Sequence, residues 1–179
     1  QAWSSAASDV YKRQLYKEGD FKPYMFKTKN YGETWTKIVN GIPNNFFTRV
    51  LRADPERKGL LYSGTESGVF ISFDDGLSWK SFQINLPLVP ITDMTIKNNN
   101  LIVATQGRSV WILDDITPLH QLNESNHKKD FHLFKPIDSY RMGYPSWGGT
   151  SATQGKNHHN GVEVFFNLGD NLAEKEENI

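Results

Sequence analysis

From Thr48 onward, apolar and polar residues alternate in short runs that are broken repeatedly by Gly, Pro, Asn and Asp. A period of two residues marks strands buried on one face, and such breakers mark the turns between them. The pattern predicts strands at Thr48–Ala53 (TRVLRA), Leu60–Gly64 (LLYSG), Val69–Phe73 (VFISF) and Ser78–Ile84 (SWKSFQI), with turns at Asp54–Gly59 and Thr65–Gly68. Together these make one up-and-down unit from about Phe47 to Ile84. After the bridge LPLVP the unit begins again, with Ile91–Ile96, a turn at Asn98–Asn100, Leu101–Thr105 and Ser109–Leu113. Pro118 stands where a ladder donor would be needed, so Ile116–Leu122 reads as chain leaving the sheet. An outer strand would then come from Phe131–Phe134 or from a segment preceding this chain. Residues 15–135 are thus expected to be blade-like sheets. Residues 136–160, rich in Gly, Ser, Asn and Tyr, are expected to be a linker, and residues 161–179 the start of a further β domain, opening on GVEVFFNL.

The repeat has a second signature. TKNYGETW (Thr28–Trp35) and SFDDGLSW (Ser72–Trp79) share Ser/Thr, any residue, Asp/Asn, any residue, Gly, any residue, Ser/Thr, Trp. Trp35 and Trp79 stand 44 residues apart, within the ~40–45 residue spacing of four-stranded propeller blades. Aligning the second unit on the first sets Thr105 on Thr65 and Asp114-Asp115 on Asp74-Asp75. The box glycine then becomes Ile116 and the tryptophan Leu119, so the third box has decayed. The expected fold class is all-β: a partial β-propeller of four-stranded antiparallel sheets, followed by a linker and the start of a C-terminal β domain.

Every box residue has a structural task available to it. The side chains of Asn30 and Asp74 can accept from backbone N–H groups that a tight turn leaves without ladder partners. Gly32 and Gly76 supply a positive φ. The hydroxyls of Thr28, Thr34, Ser72 and Ser78 can bond across the turn, and Trp35 and Trp79 offer large apolar faces to neighbouring sheets. The competing reading makes Asp74 and Asp75 a glycosidase-like acid and base. Adjacent residues at a strand end point to opposite faces, and Asn30 in the sister box can accept a hydrogen bond but cannot carry a proton. Both facts favour the structural role.

Charge and composition narrow the partners. Twenty Lys and Arg balance twenty Asp and Glu, so no field draws the chain to nucleic acid or an anionic membrane, and no apolar run is long enough for a membrane span. Cysteine is absent, which excludes disulfides and thiolate chemistry. Arg49, Asp93, Gln106 and Arg108 fall near ends of the presumed innermost strands, where propellers present polar groups to a central channel, and are the candidate ligand contacts. The competing reading, favoured by the tendency of polar groups near strand ends to satisfy local partners, pairs Arg49, Asp93 and Arg108 with one another between blades. Thr92 lies beside them. His158-His159 lack the spacing of a metal site, and no glycine run has phosphate-loop form, so neither metal nor cofactor is expected. Tyr144 and Trp147 read as linker anchors. The catalytic residues, if there are any, are not identified.

The motif SFDDGLSW resembles the Asp-box, or bacterial neuraminidase (BNR) repeat, at every defining position, and TKNYGETW differs only at the acid. RADPERKGLLYSGTESGVFISFDDGLSW through LIVATQGRSVWILDDITPL is similar to the closing blades of bacterial sortilin-like and "glycosyl hydrolase" (YVTN/BNR-like) propellers. The resemblance covers about Tyr24 to Leu168. It implies a ligand-binding or scaffold propeller that is secreted, periplasmic or on the surface of a bacterium, with glycan or peptide as its ligand. The alternative it implies is a sialidase- or xyloglucanase-like glycoside hydrolase with most of its carboxylates elsewhere. Residues Asp9–Gln14 (DVYKRQ) match the in-frame translation of a sequencing-library transposon end, so Gln1–Gln14 is read as a scar and left out of the fold. The charged run AEKEENI at the other end leads to the expectation of a fragment.

Overall fold

The computed structural model describes residues 9–12, 14–127, 129–139 and 161–169. The described chain is all-β apart from a 3-10 turn at Tyr16–Glu18 and two short helices, α1 (Thr117–Gln121) and α2 (Glu124–His127). It divides into two compact units, Gln1–Ile116 and Thr117–Ile179.

The first unit holds three antiparallel sheets built as partial propeller blades. The first is ordered β1 (Asp9–Lys12), β2 (Met25–Thr28), β3 (Thr36–Lys37). The second is a complete up-and-down blade of β4 (Thr48–Ala53), β5 (Leu61–Thr65), β6 (Gly68–Ser72) and β7 (Lys80–Ser81). The third has β8 (Ile91–Lys97), β9 (Asn100–Thr105) and β10 (Val110–Leu113), with β10 at its edge. Every residue of β5 and β6 is buried, as befits the middle strands of a blade covered on both faces.

Three features depart from the expectations. First, the segment left out as a scar contributes β1, which pairs with β2 from Asp9↔Thr28 to Lys12↔Met25. An open sheet edge offers backbone groups that an extended segment can satisfy without any particular side chains. Second, the outer position of the third sheet is not filled by Phe131–Phe134. That segment lies in the second unit, where β11 (Phe131–Leu133) pairs with β12 (Phe166–Leu168) and Phe134 N–H extends the ladder to Phe165 O at 3.0 Å. Third, strand registers shift the decayed box by one residue. Leu61 pairs with Ser72 and Leu101 with Leu113, because the β9–β10 hairpin holds Gln106, Gly107 and Arg108 where the β5–β6 hairpin holds only Glu66 and Ser67. Asp115, not Asp114, therefore stands at the place of Asp74. The hydrogen bonds agree: Asp75 N–H donates to Gly59 O and Ile116 N–H to Asn99 O, both at 2.8 Å. Thr117, at the place of Gly76, opens α1.

The core between the first two sheets gathers Met25, Ile38, Ile42, Leu51, Leu61, Phe70 and Trp79. Between the second and third sheets the side chain of Ile91, with Val50 of the neighbouring strand, packs directly over Gly64. A Cβ there would lie 2.5 Å from Ile91 Cγ2 and 2.5 Å from Val50 Cγ1.

Candidate functional site

The two boxes fold into the same turn. In the second, Ser72 Oγ donates to Asp74 Oδ1 at 2.8 Å and accepts from Gly76 N–H at 2.9 Å. Asp74 Oδ1 also accepts from Ser78 N–H at 2.9 Å, and Asp74 Oδ2 from the Ser78 hydroxyl. In the first, Thr28 Oγ1 donates to Asn30 Oδ1 at 2.9 Å and accepts from Gly32 N–H at 2.9 Å, while Asn30 Oδ1 accepts from Thr34 N–H at 2.9 Å and from Thr34 Oγ1 at 3.2 Å. Each turn places two successive residues at positive φ, Tyr31 (55°) and Gly32 (91°), and Asp75 (64°) and Gly76 (87°). Burial alone would raise the Asp74 pKa. The bonds from the Ser78 hydroxyl, the Ser78 N–H and Ser72 outweigh it and hold the carboxyl below its ordinary value of 3.8.

The tryptophans differ. Trp79 is 3 % exposed, and its Nε1–H donates to Ile38 O at 2.9 Å while its backbone N–H donates to Asn40 O at 2.8 Å. It fastens the second sheet to the first. Trp35 is 47 % exposed and its Nε1–H returns to Gly32 O of its own turn at 3.0 Å.

A cleft of about 200 Å³ lies between the two turns, lined by Lys27, Lys29, Thr34, Thr36, Asp74 and Asp75 among others. Asp75 is paired there with the buried Lys27 ammonium. Burial first, and then the charges of Lys29 and Lys58, lower the Lys27 pKa. Asp74 keeps its turn partners, so the cleft walls carry two carboxylates that already have donors. Lys27 had no signal of its own in the sequence: it stands between Phe26 and Thr28 and reads as an ordinary strand lysine, though it shares a face with the buried Met25.

Near the inner strands, both blades break register at the same place. The ladder steps from Thr48 to Val50 in β4 and from Ile91 to Asp93 in β8, which makes Arg49 and Thr92 equivalent bulge residues. Bulges re-aim side chains. Arg49 lies over the Phe47 ring, 5.2 Å from its centre, and donates from Nε to Glu66 at 2.5 Å. Asp93 accepts from Arg52 Nη2 at 2.6 Å and from Met94 N–H at 2.8 Å. Arg52 also donates from Nε to Met94 O at 2.7 Å, so this arginine ties β4 to β8. Sequence reasoning missed it, because TRVLRA offers two arginines and nothing in the run says which of them meets Asp93. Arg49 and Asp93 are therefore not partners of each other. Gln106 and Arg108 are exposed on the β9–β10 hairpin, where the Arg108 carbonyl accepts from Trp111 Nε1–H at 2.8 Å. Thr65 and Thr105 close equivalent hairpins, donating to Gly68 O at 2.9 Å and Ser109 O at 2.6 Å. The expectations for Tyr144, Trp147 and His158-His159 concern residues outside the described ones. Among those residues no helix is long and apolar enough to cross a membrane.

Comparison with known proteins adds a distant likeness. Half of the chain (50 %) superposes on the crystal structure of an ancestral GH74 enzyme with a TM-score of 0.42 and 22 % identity, and the match spans 11 % of that enzyme's chain. No family model matches the chain, and no curated protein matches it.

Proposed function

We propose that this chain is part of a ligand-binding or scaffold β-propeller whose Asp-box turns fasten its blades and perform no bond-breaking. One observation carries the reading: both acids of the second box, and Asp93 and Glu66 beside the inner strand ends, already have fixed partners. Asp74 is held by Ser72 and Ser78, Asp75 by Lys27, Asp93 by Arg52 and Glu66 by Arg49. A glycosidase needs one carboxyl free to donate a proton and another free to attack or to activate water. The resemblance of the boxes to BNR repeats supports placing the whole protein outside the bacterial cytoplasm, with a glycan or peptide as ligand. Arg49, Gln106 and Arg108, beside the inner strand ends, are the proposed contacts, since guanidinium groups bind carboxylates and hydroxyls in a fixed fork.

The test measures binding on glycan and peptide arrays alongside hydrolysis of sialoside and xyloglucan substrates. The expected result is binding that weakens in Arg108→Ala, with no turnover. Hydrolysis that Asp74→Asn or Asp93→Asn abolishes, with the fold intact by circular dichroism, would reverse the reading in favour of a glycoside hydrolase.

A further inference from the structure

A short turn after β3 faces the second box across the junction of the first two sheets. Ile42 N–H donates to Val39 O at 3.1 Å, and Gly41, third in the turn, stands at φ 98°. Positive φ at that place calls for glycine. The surroundings demand it too, since a Cβ on Gly41 would lie 2.2 Å from Trp79 O. The turn and the box are bonded to each other. Trp79 N–H donates to Asn40 O at 2.8 Å, Trp79 Nε1–H to Ile38 O at 2.9 Å, and Asn40 Nδ2–H to Leu77 O at 3.3 Å.

An asparagine followed by glycine carries latent chemistry. The amide nitrogen of the second residue can attack the side-chain carbonyl carbon of the first, and glycine has no side chain to block the approach. A fold suppresses the reaction where that N–H is bonded and buried, because reaction then waits for local opening. Neither protection holds here. Asn40 and Gly41 are both exposed, and the Gly41 N–H donates no hydrogen bond among the described residues. The Asn40 amide is held to Leu77 O at 3.3 Å, long for an N–H···O bond. Asp75 and Gly76 in the box show the contrast: the same ring closure there is opposed by a buried bond from Gly76 N–H to Ser72 Oγ at 2.9 Å and by the pairing of Asp75 with Lys27.

We propose that Asn40–Gly41 is a spontaneous modification site, at which deamidation loosens the junction between the first two sheets as the protein ages. Gly41 N attacks Asn40 Cγ and the Cγ–Nδ2 bond breaks. The Gly41 amide proton leaves with the departing ammonia, and a succinimide ring remains. Water then opens the ring. Attack at Cγ gives an aspartyl product on an unchanged main chain; attack at the main-chain carbonyl carbon gives an isoaspartyl product whose main chain runs through Cγ and is one atom longer. The aspartyl product sets a carboxylate oxygen against Leu77 O, so the bond across the junction is lost and two acceptors meet. The isoaspartyl product does more. The carbonyl that received the Trp79 N–H becomes a side-chain carboxylate on a lengthened chain, at the place where Gly41 packs against Trp79 O. Trp79 is buried, so an N–H displaced from its acceptor there is costly. Because the turn requires glycine, the labile pair is part of the fastening itself.

The experiment ages the full chain in neutral buffer, digests samples with trypsin over several weeks and maps them by liquid chromatography and mass spectrometry. The peptide Ile38–Arg49 (IVNGIPNNFFTR) reports Asn40, fragmentation separates it from Asn44 and Asn45, and the other Asn-Gly pair of the sequence, Asn160–Gly161, falls in a different peptide. The mass change of amide to acid is expected at Asn40, in aspartyl and isoaspartyl peaks, at a rate within about tenfold of that in the free synthetic peptide, because an exposed and unbonded amide needs no opening to react. Limited proteolysis with a broad-specificity protease is expected to cut the converted chain between β3 and β4 about threefold faster than fresh chain, or more, since local opening there becomes easier. Asn40→Gln keeps an amide but would have to close a larger ring, so it is expected to age without that gain; circular dichroism checks its fold, and the wild-type time course needs no variant. Conversion at Asn40 slower than about a tenth of the free-peptide rate means that the fold protects the site and overturns the proposal. A converted chain cut less than about threefold faster than fresh chain overturns it as well, and so does an equal gain in aged Asn40→Gln.

Discussion

At Asp74 the distinction between acid and acceptor can be measured. Asp74→Ala deprives the Ser78 N–H and two hydroxyls of their acceptor and is expected to cost about 1–2 kcal/mol. Asp74→Asn keeps an acceptor oxygen, as Asn30 does in the first turn, and is expected to cost less than half as much in denaturant melts. The pH response separates them further. Folding lowers the Asp74 pKa below 3.8, so its contribution is complete above that value and is lost as pH falls beneath it. Asp74→Asn should remove that part of the acid destabilisation, seen as a smaller loss of stability than wild type between neutral pH and pH about 3. A second residue runs the opposite way. Ser63 is fully buried on β5 and its hydroxyl has no hydrogen-bond partner among the described residues. Ser63→Ala removes a desolvated polar atom while keeping most of the volume, so it is expected to be neutral or stabilising by up to about 1 kcal/mol in the same melts. No sequence pattern marked it, since a serine in an alternating strand reads as solvent-facing as readily as buried.

At the scale of elements, β4, β5, β6, β8, β9 and β10 lie where the turn residues place them, while β7 falls short. SWKSFQI predicts a long fourth strand, but only Lys80 and Ser81 pair. Trp79 is drawn out of the ladder into the neighbouring core, and Phe82 bonds Val69 as the chain turns away. The close approach at Gly64 is a second element-level fact. It lies in a strand, without a positive φ, so only the neighbouring sheet explains it. Gly64→Ala pushes a methyl into Ile91 and Val50 and is expected to destabilise by about 1–3 kcal/mol, with faster amide exchange in β5 and β8 than elsewhere. The bulges at Arg49 and Thr92 belong to this scale too: they recur at one place in two blades and split the arginines of β4 between Glu66 and Asp93.

For the whole molecule, one side chain couples the first two sheets while its counterpart does not. Trp79→Ala opens a cavity in the shared core and is expected to cost about 3–5 kcal/mol, with proteolysis appearing between β3 and β4. Trp35→Ala, at a half-exposed ring, is expected to cost well under half of that in the same measurement. The sequence by itself determined the blade-like strands, their turns and the recurrence of the box, because alternation, positive-φ glycines and short hydrogen-bonding side chains act within a few residues of one another. Tertiary structure alone decided which tryptophan is buried, and that Lys27 pairs with Asp75 and Arg52 with Asp93. Those outcomes depend on how one sheet lies against the next, and side-chain contacts across a junction leave no periodic trace along either strand.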